Sequence, residues 1–366
     1  MAYGSVNADT LVTSTSGGVL GAGNASIMKN RIINGSMTID QRNAGASVTN
    51  VASAATYTLD RWFYYASQAS KFTIQQNAGS VTPPAGFTKY LGVTSSSAYT
   101  VGSGEIFQLA QYIEGYNVAD LGWGTANAKT VTLSFQVYSS LTGTFGGALR
   151  NSNSDRSYPF TFTVSSANTW TQASVTIAGD TSGTWVTDNG IGIRLTFGLG
   201  MGSTFSGTAG SWSSNNYISA TGATSVVGTN GATFYITGVQ LEVGSSATGY
   251  EYRQYGQELA LCQRYFETYQ AGYVTGANYS TSGSQGFAMY FKVTKRATPT
   301  MAIVSGTATV SNAVAGNAGG TVAINNQPNS VSNGGDLYVT GASGIVAGNA
   351  GLLLPSTLII SYSAEL

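Results

Sequence analysis

The sequence predicts an all-β protein: an antiparallel jelly-roll β-sandwich with an extended N-terminal arm, one short connecting helix and a smaller C-terminal β domain. Three observations predict it. Short runs alternating apolar and polar residues recur from about residue 29 to residue 250. Clusters of Gly, Asn, Asp and Ser separate them. Only one segment carries a helical period. The expected divisions are an arm over 1–28, a sandwich over 29–250, a helical connector over 251–270 and a β domain over 271–366.

Residues 1–28 are rich in Gly, Ser, Thr, Asn and Ala, with little periodicity. Such a stretch has too little apolar surface to fold alone and reads as an extended attachment arm. It also lacks a basic n-region and a sustained apolar stretch, so no secretory signal is expected.

The sandwich strands are expected at Tyr57–Tyr65, Lys71–Gln75, Thr130–Tyr138, Phe160–Val164, Ala173–Ile177, Ile191–Leu199 and Thr233–Val243. In Thr130–Tyr138, Val131, Leu133, Phe135 and Val137 point one way, and Thr132, Ser134 and Gln136 the other. One face is therefore buried and one wet. Gly143 to Gly147 and Asp188-Asn189-Gly190 read as turn clusters. Many short strands of this kind argue for a sandwich or jelly roll.

Near 256–268 the texture changes. Leu259, Cys262 and Phe266, with Leu261 and Tyr265 beside them, fall at helical spacing. Beyond residue 270 strand texture returns, as in Gly286–Val293, Thr300–Val304 and Leu358–Tyr362, between small-residue loops.

Composition narrows the chemistry. Charged residues make up only 8% of the 366 residues, against about 25% in an ordinary soluble domain. Lys+Arg and Asp+Glu are 15 each, so no electrostatic footprint for nucleic acid or anionic membrane exists. Near-zero charge favours association. No run reaches the roughly 18 apolar residues of a membrane span, so no membrane insertion is expected. The chain contains no His, which removes His-based triads and the commonest metal ligand. Its one Cys, Cys262, forms no intrachain disulfide and reads as a small buried apolar residue.

No phosphate-binding glycine loop is present. Two carboxylates could in principle make a glycosidase pair, but nothing in their spacing nominates one. No catalytic residue, cofactor or metal is therefore expected, and the chain reads as a non-enzyme. The enriched class is aromatic: 22 Tyr, 14 Phe and 5 Trp. These rings offer an apolar face and, in Tyr and Trp, a hydrogen-bonding edge, suited to sugars and to interfaces. Trp62, between Arg61 and Phe63, reads as core. Trp123, Trp170, Trp185 and Trp212 stand near Gly, Ser or Thr turns, and are the candidates for an exposed glycan platform, although packing competes as an explanation for each.

Several stretches resemble a family of tailed-phage and prophage virion proteins of the tail-fibre or head-fibre type, many with a carbohydrate-binding-module-like jelly roll. They are GVLGAGNASIMKNRIINGSMTIDQRNAGAS (18–47), TLDRWFYY (58–65), QYIEGYNVADLGWGTANAKTVTLSFQVYSSLTGTF (111–145), DTSGTW (180–185) and ITGVQLEVGSSATGYEYRQYGQELALCQRYF (236–266). The resemblance covers roughly residues 1–270. It implies a virion location, assembly in the host cytoplasm, virion partners in the tail or capsid, and a homotrimer. Such jelly rolls often start with an NGxFE-like strand and end with a DN-containing strand whose acids hold calcium. Here NGSMTID displaces the acid to Asp40 and ITGVQLEV has Thr237-Gly238 at the corresponding pair, so no calcium is expected.

Four functions compete on these grounds. The first is a fibre subunit that binds host-surface glycan without cleaving it. The second is a capsid decoration or head-fibre protein, suggested by the arm and the neutral charge. The third is a polysaccharide depolymerase, suggested only by available carboxylates. The fourth, a cellular carbohydrate-binding module, is disfavoured because no catalytic domain or signal accompanies the sandwich.

Overall fold

The computed structural model describes residues 11–12, 19–20, 29–270, 274–280, 283–306, 308–312, 318–321, 323–326, 334–340, 345–355 and 358–366. Most of the expected arm lies outside the described residues. Within it, β1 (Leu11–Val12) and β2 (Val19–Leu20) pair antiparallel.

The chain divides into two compact units, Met1–Gln254 with Leu366, and Tyr255–Glu365. The first unit continues with β3 (Val48–Thr49), β4 (Thr56–Leu59), β5 (Trp62–Ala66), β6 (Phe72–Gln76), β7 (Leu91–Ser95) and β8 (Ile106–Glu114). Then come β9 (Val131–Ser139), β10 (Gly143–Arg150), β11 (Ser157–Val164), β12 (Thr171–Ile177) and β13 (Ile191–Met201). It closes with the two-residue strands β14 (Ser206–Gly207) and β15 (Ser219–Ala220), which pair with each other, and β16 (Thr233–Val243).

Two six-stranded sheets result, β11-β10-β13-β8-β5-β4 and β12-β9-β16-β7-β6-β3. Every pairing in them is antiparallel. The protein is all-β in class, as the alternation required. Residues of alternating parity from both sheets meet in one core, with Phe135, Phe145, Phe162, Phe197 and Phe234 at its centre. Trp62 is fully buried there, donating its indole N–H to the Asn34 carbonyl at 3.0 Å.

Three local expectations are corrected. Tyr57–Tyr65 is a hairpin, not one strand: Asp60 and Arg61 form the turn, Arg61 taking a φ of 71°. Burial explains why so apolar a run bends, since Asp60 accepts the Gln41 backbone and side-chain N–H groups at 2.7 and 2.8 Å. Gly143 to Gly147 is not a turn but the first half of β10. At Gly147 a Cβ would strike the Thr196 carbonyl and the Phe160 ring, so glycine here marks close approach inside a sheet. The expected helix near 256–268 stops early, as α1 (Tyr255–Gln263), and β17 (Phe266–Gln270) follows it. Phe266, Thr268 and Tyr269 have high strand propensity and find a partner strand, which overrides the helical spacing.

The first unit starts and finishes at one place. Arg31 donates its backbone N–H to Leu241 on the last strand at 2.9 Å. Asn30 donates its own to Glu251 Oε2 at 2.8 Å. Arg253 donates to the carbonyls of Asn30 and Ile32, the latter at 3.1 Å.

The second unit contains α1, β17, β18 (Val274–Asn278), β19 (Gly283–Tyr290), β20 (Thr300–Ser305), β21 (Ala308–Asn312) and β22 (Ala318–Thr321). It ends with β23 (Ala323–Asn326), β24 (Gly334–Thr340), β25 (Ala350–Pro355) and β26 (Ile359–Ser363). Its sheets run β17-β26-β20 and β22-β21-β25-β18-β19-β24-β23. Cys262 is buried, as the sequence suggests, and so are Tyr265, Phe266, Ile360 and Tyr362.

Candidate functional site

The four tryptophans named from the sequence fall into two places. Trp123, Trp185 and Trp212 come together as an edge-to-face triad, with ring centroids 4.7, 5.3 and 5.4 Å apart. Their N–H groups all donate to backbone carbonyls: Trp123 to Lys129 at 2.8 Å, Trp185 to Ser182 at 3.1 Å and Trp212 to Ala178 at 2.8 Å. Only ring faces are left for a ligand.

The loop carrying Trp185 is fixed by a buried ion pair. Asp180 accepts Arg156 Nε and Nη2 at 2.7 Å each and the Ser182 backbone N–H at 3.1 Å. Hydrogen bonding to Asp180 holds the Arg156 guanidinium above its ordinary pKa. An apolar cleft of about 200 Å3 opens beside the triad, walled by Val118, Leu121, Trp123, Trp185 and Ile193. Trp123 itself is only 7% exposed.

Trp170 stands elsewhere, just before β12, on the outer face of the second sheet. Inward residues of β9 fill the core, so Ser134, Gln136 and Tyr138 face out. The β16 residue opposite Tyr138 is Tyr235, and their rings stack 5.4 Å apart at 6°. Tyr235 lies over Gly92, and Tyr90 stacks on it from the other side at 5.3 Å. Trp170 packs on Tyr90 and Tyr138 at 5.4 and 5.5 Å and donates its N–H to the Thr82 carbonyl at 2.8 Å. Tyr90 accepts the Val81 N–H at 2.8 Å, and burial raises its hydroxyl pKa. The buried rings Tyr90 and Tyr235 thus hold up the half-buried rings Tyr138 and Trp170.

A second cleft of about 200 Å3 adjoins this platform, lined by Ser134, Gln136, Gln172, Phe87, Tyr250 and Tyr252 among others. Gln136 and Gln172 are direct cross-strand partners on β9 and β12, and neither amide is engaged by another described residue. Successive outward side chains stand roughly 7 Å apart along the strand. The platform, the amide pair and Ser134 therefore follow one another in a row.

Phe87, Tyr250 and Tyr252 form the far wall, with centroids 5.0 to 5.7 Å apart. A bulge in β16 between Thr237 and Gln240 makes room for it. There Gly238 takes a φ of +63°, and a Cβ on it would meet the Phe87 ring at 2.5 Å. Buried polar groups on β16 pin the loop that bears the two tyrosines. Glu242 accepts the Thr248 N–H at 2.8 Å and its hydroxyl at 2.6 Å. Gln240 Oε1 accepts the Glu251 N–H at 2.8 Å. Lys29 supplies the cation, 3.7 Å from Glu242 and donating to the Gly249 carbonyl at 2.9 Å.

No Asp or Glu lines either cleft. Among the described residues no cluster of three His, Cys, Asp or Glu side chains that could hold a metal is present, and no helix is long and apolar enough to cross a membrane. Sequence reasoning missed Phe87, Gln172, Tyr250 and Tyr252. The outward orientation of Gln136 was legible in the alternation of β9; Gln172 lies at the start of β12, just before the expected strand Ala173–Ile177, and Phe87, Tyr250 and Tyr252 sit outside the strands, where no period marks them.

No family model matches the chain, and no curated protein matches it. Among solved structures, the enzymatically active domain of tailspike protein 4 from bacteriophage CBA120 is similar at 9% identity and a TM-score of 0.31, over 59% of this chain and 22% of that one. A CBM4 module is similar at 15% identity and a TM-score of 0.31, over 58% of this chain and 98% of that one. The family 11 carbohydrate-binding module of a Clostridium thermocellum cellulosomal cellulase is similar at 10% identity and a TM-score of 0.27, over 57% and 100%. What this chain is similar to is thus carbohydrate-binding modules and a phage tailspike domain, all at low identity.

Proposed function

We propose that the outer face of the second sheet binds glycan, and that the chain is a non-catalytic structural protein on the surface of a tailed-phage particle, a homotrimeric fibre subunit in contact with the host. The observation that carries the binding reading is the Gln136–Gln172 pair, two outward amides set between the Trp170–Tyr138 platform and the Phe87–Tyr250–Tyr252 wall. Amides donate and accept to sugar hydroxyls, and rings take the apolar faces of pyranoses. The sequence resemblance supports the virion setting, and the near-zero charge suits close assembly.

Net hydrogen bonds contribute only about 0.5–1.5 kcal/mol each, so a single site is weak. A trimer raises avidity through effective concentration without new contacts. The test is a glycan array probed with the full chain, followed by titration of the best glycan against Gln136→Ala/Gln172→Ala. Binding reduced about tenfold or more, with unchanged thermal stability, supports the reading. Unchanged binding moves the site away from this face.

A capsid decoration or head-fibre role is the alternative within the same virion setting, and copy number per particle separates the two. A few trimers at the tail mean a fibre; many copies over the head mean decoration. The depolymerase reading has least support, because neither cleft carries a carboxylate. New reducing ends released from host polysaccharide would revive it.

A further inference from the structure

The second unit holds a charged pair that glycan binding does not use. Glu267 on β17 and Lys295, in the connection between β19 and β20, are 1% and 0% exposed, with Oε2 and Nζ 3.2 Å apart. Burying an ion pair costs several kcal/mol per charge unless every remaining polar atom is satisfied. Here they are not all satisfied. Glu267 Oε2 also accepts the Lys292 backbone N–H at 3.3 Å, and Lys295 donates to the Gln263 carbonyl. Glu267 Oε1, however, has no partner among the described residues, nor has the hydroxyl of Tyr362, which stands directly cross-strand from Glu267. The Phe291 ring lies 5.3 Å from Lys295 Nζ and 4.8 Å from the Tyr362 ring. The pair therefore sits against aromatic rings.

We propose that Lys295 and Glu267 are the two halves of an intramolecular isopeptide cross-link. Passing one proton from the ammonium to the carboxylate gives a neutral amine beside a neutral acid, the form that a water-poor site favours. Burial acts in that direction on Lys295, lowering its pKa. The Nζ lone pair then attacks Glu267 Cδ. The C–N bond forms, the bond from Cδ to one carboxyl oxygen breaks, and that oxygen leaves as water with the acid proton and one amine proton. No oxidant, reductant or activated donor is required. The proton crosses the Nζ–Oε2 contact, so Oε2 is the oxygen that leaves as water and Oε1 remains as the amide oxygen. The product replaces two buried charges by one neutral amide and ties β17 to the segment leading into β20.

The experiment is mass spectrometry of the purified full-length chain. The expected intact mass is lower than that of the sequence by one water molecule, and a tryptic digest is expected to contain a branched peptide joining Glu267 to an uncleaved Lys295. Lys295→Arg and Glu267→Ala each restore the lost water. An intact mass equal to the sequence in folded protein overturns the proposal, as does a water loss that maps to any other pair. The wild-type measurement decides the matter even if a variant fails to fold.

Discussion

Asp180 accepts two hydrogen bonds from Arg156, both at 2.7 Å, and is 1% exposed. The pair fixes the loop from which Trp185 reaches Trp123 and Trp212. Asp180→Asn removes the charge and keeps the shape. It is expected to cost about 2 kcal/mol, the scale of a charge-assisted hydrogen bond. A lower midpoint in urea, with a change in tryptophan emission, is the expected reading; an unchanged midpoint shows that the loop is held by its other contacts.

The two aromatic groups can be told apart. Trp170→Ala removes the exposed part of the platform beside Gln136 and is expected to weaken glycan binding about tenfold while leaving the fold intact. Trp212→Ala opens the triad and is expected to act on stability instead, at about 3 kcal/mol or more, as for other large aromatic truncations in packed sites. Binding titrations and thermal melts on both variants check this. The reverse pattern places the glycan in the triad cleft.

Gly238→Ala is expected to lose both stability and binding. A left-handed φ of +63° costs a non-glycine residue roughly 1–3 kcal/mol, and the new methyl pushes Phe87 out of the wall. A melt and a glycan titration on the same variant should move together.

Lys29→Met leaves Glu242 buried without its cation. The loss is expected to be about 2–3 kcal/mol, below that of a fully enclosed pair because Glu242 keeps its Thr248 and Gln240 partners. Denaturant unfolding reads it directly. Binding should fall as well, since Thr248 and Gly249 line the cleft.

Stability should be flat through neutral pH and fall in alkali. The chain has no His to titrate near neutrality. Burial raises the hydroxyl pKa of Tyr90, Tyr158 and Tyr362 above the ordinary value of 10.0. A raised folded pKa means that the folded state holds its proton more tightly. The contribution is fully present below pH 10 and is lost as pH rises through the folded values. Unfolding midpoints measured from pH 6 to 11 check the sign; a midpoint that rises above pH 10 contradicts it.

The fold class was legible because alternation is a local property. Thr233–Val243 was read to the residue, and Thr130–Tyr138 within one. The misreadings share a cause. Arg61 bends a strand-like run because buried Asp60 is anchored from Gln41, far back in the chain. Gly146 and Gly147 belong to a sheet because Phe160 and Ser219 leave no room for side chains. Phe266 leaves a helical pattern because β26, almost a hundred residues on, offers a strand edge. Each depends on a distant partner that local pattern cannot supply. The site divides in the same way: Gln136 was visible in the period of its strand, whereas Gln172 acquires meaning only as its cross-strand partner.

The joining of Asn30, Arg31 and Ile32 to Leu241, Glu251 and Arg253 has a mechanical consequence. A pull on the chain before residue 29 and after residue 253 meets at this one seam. The strands of the two sheets hang beside the line of tension rather than along it. Force would first open the few hydrogen bonds of the seam, while the sheets and the face that carries Gln136 and Trp170 stay unstrained. Held between two anchors, the sandwich would keep its shape as the chain on either side is drawn tight.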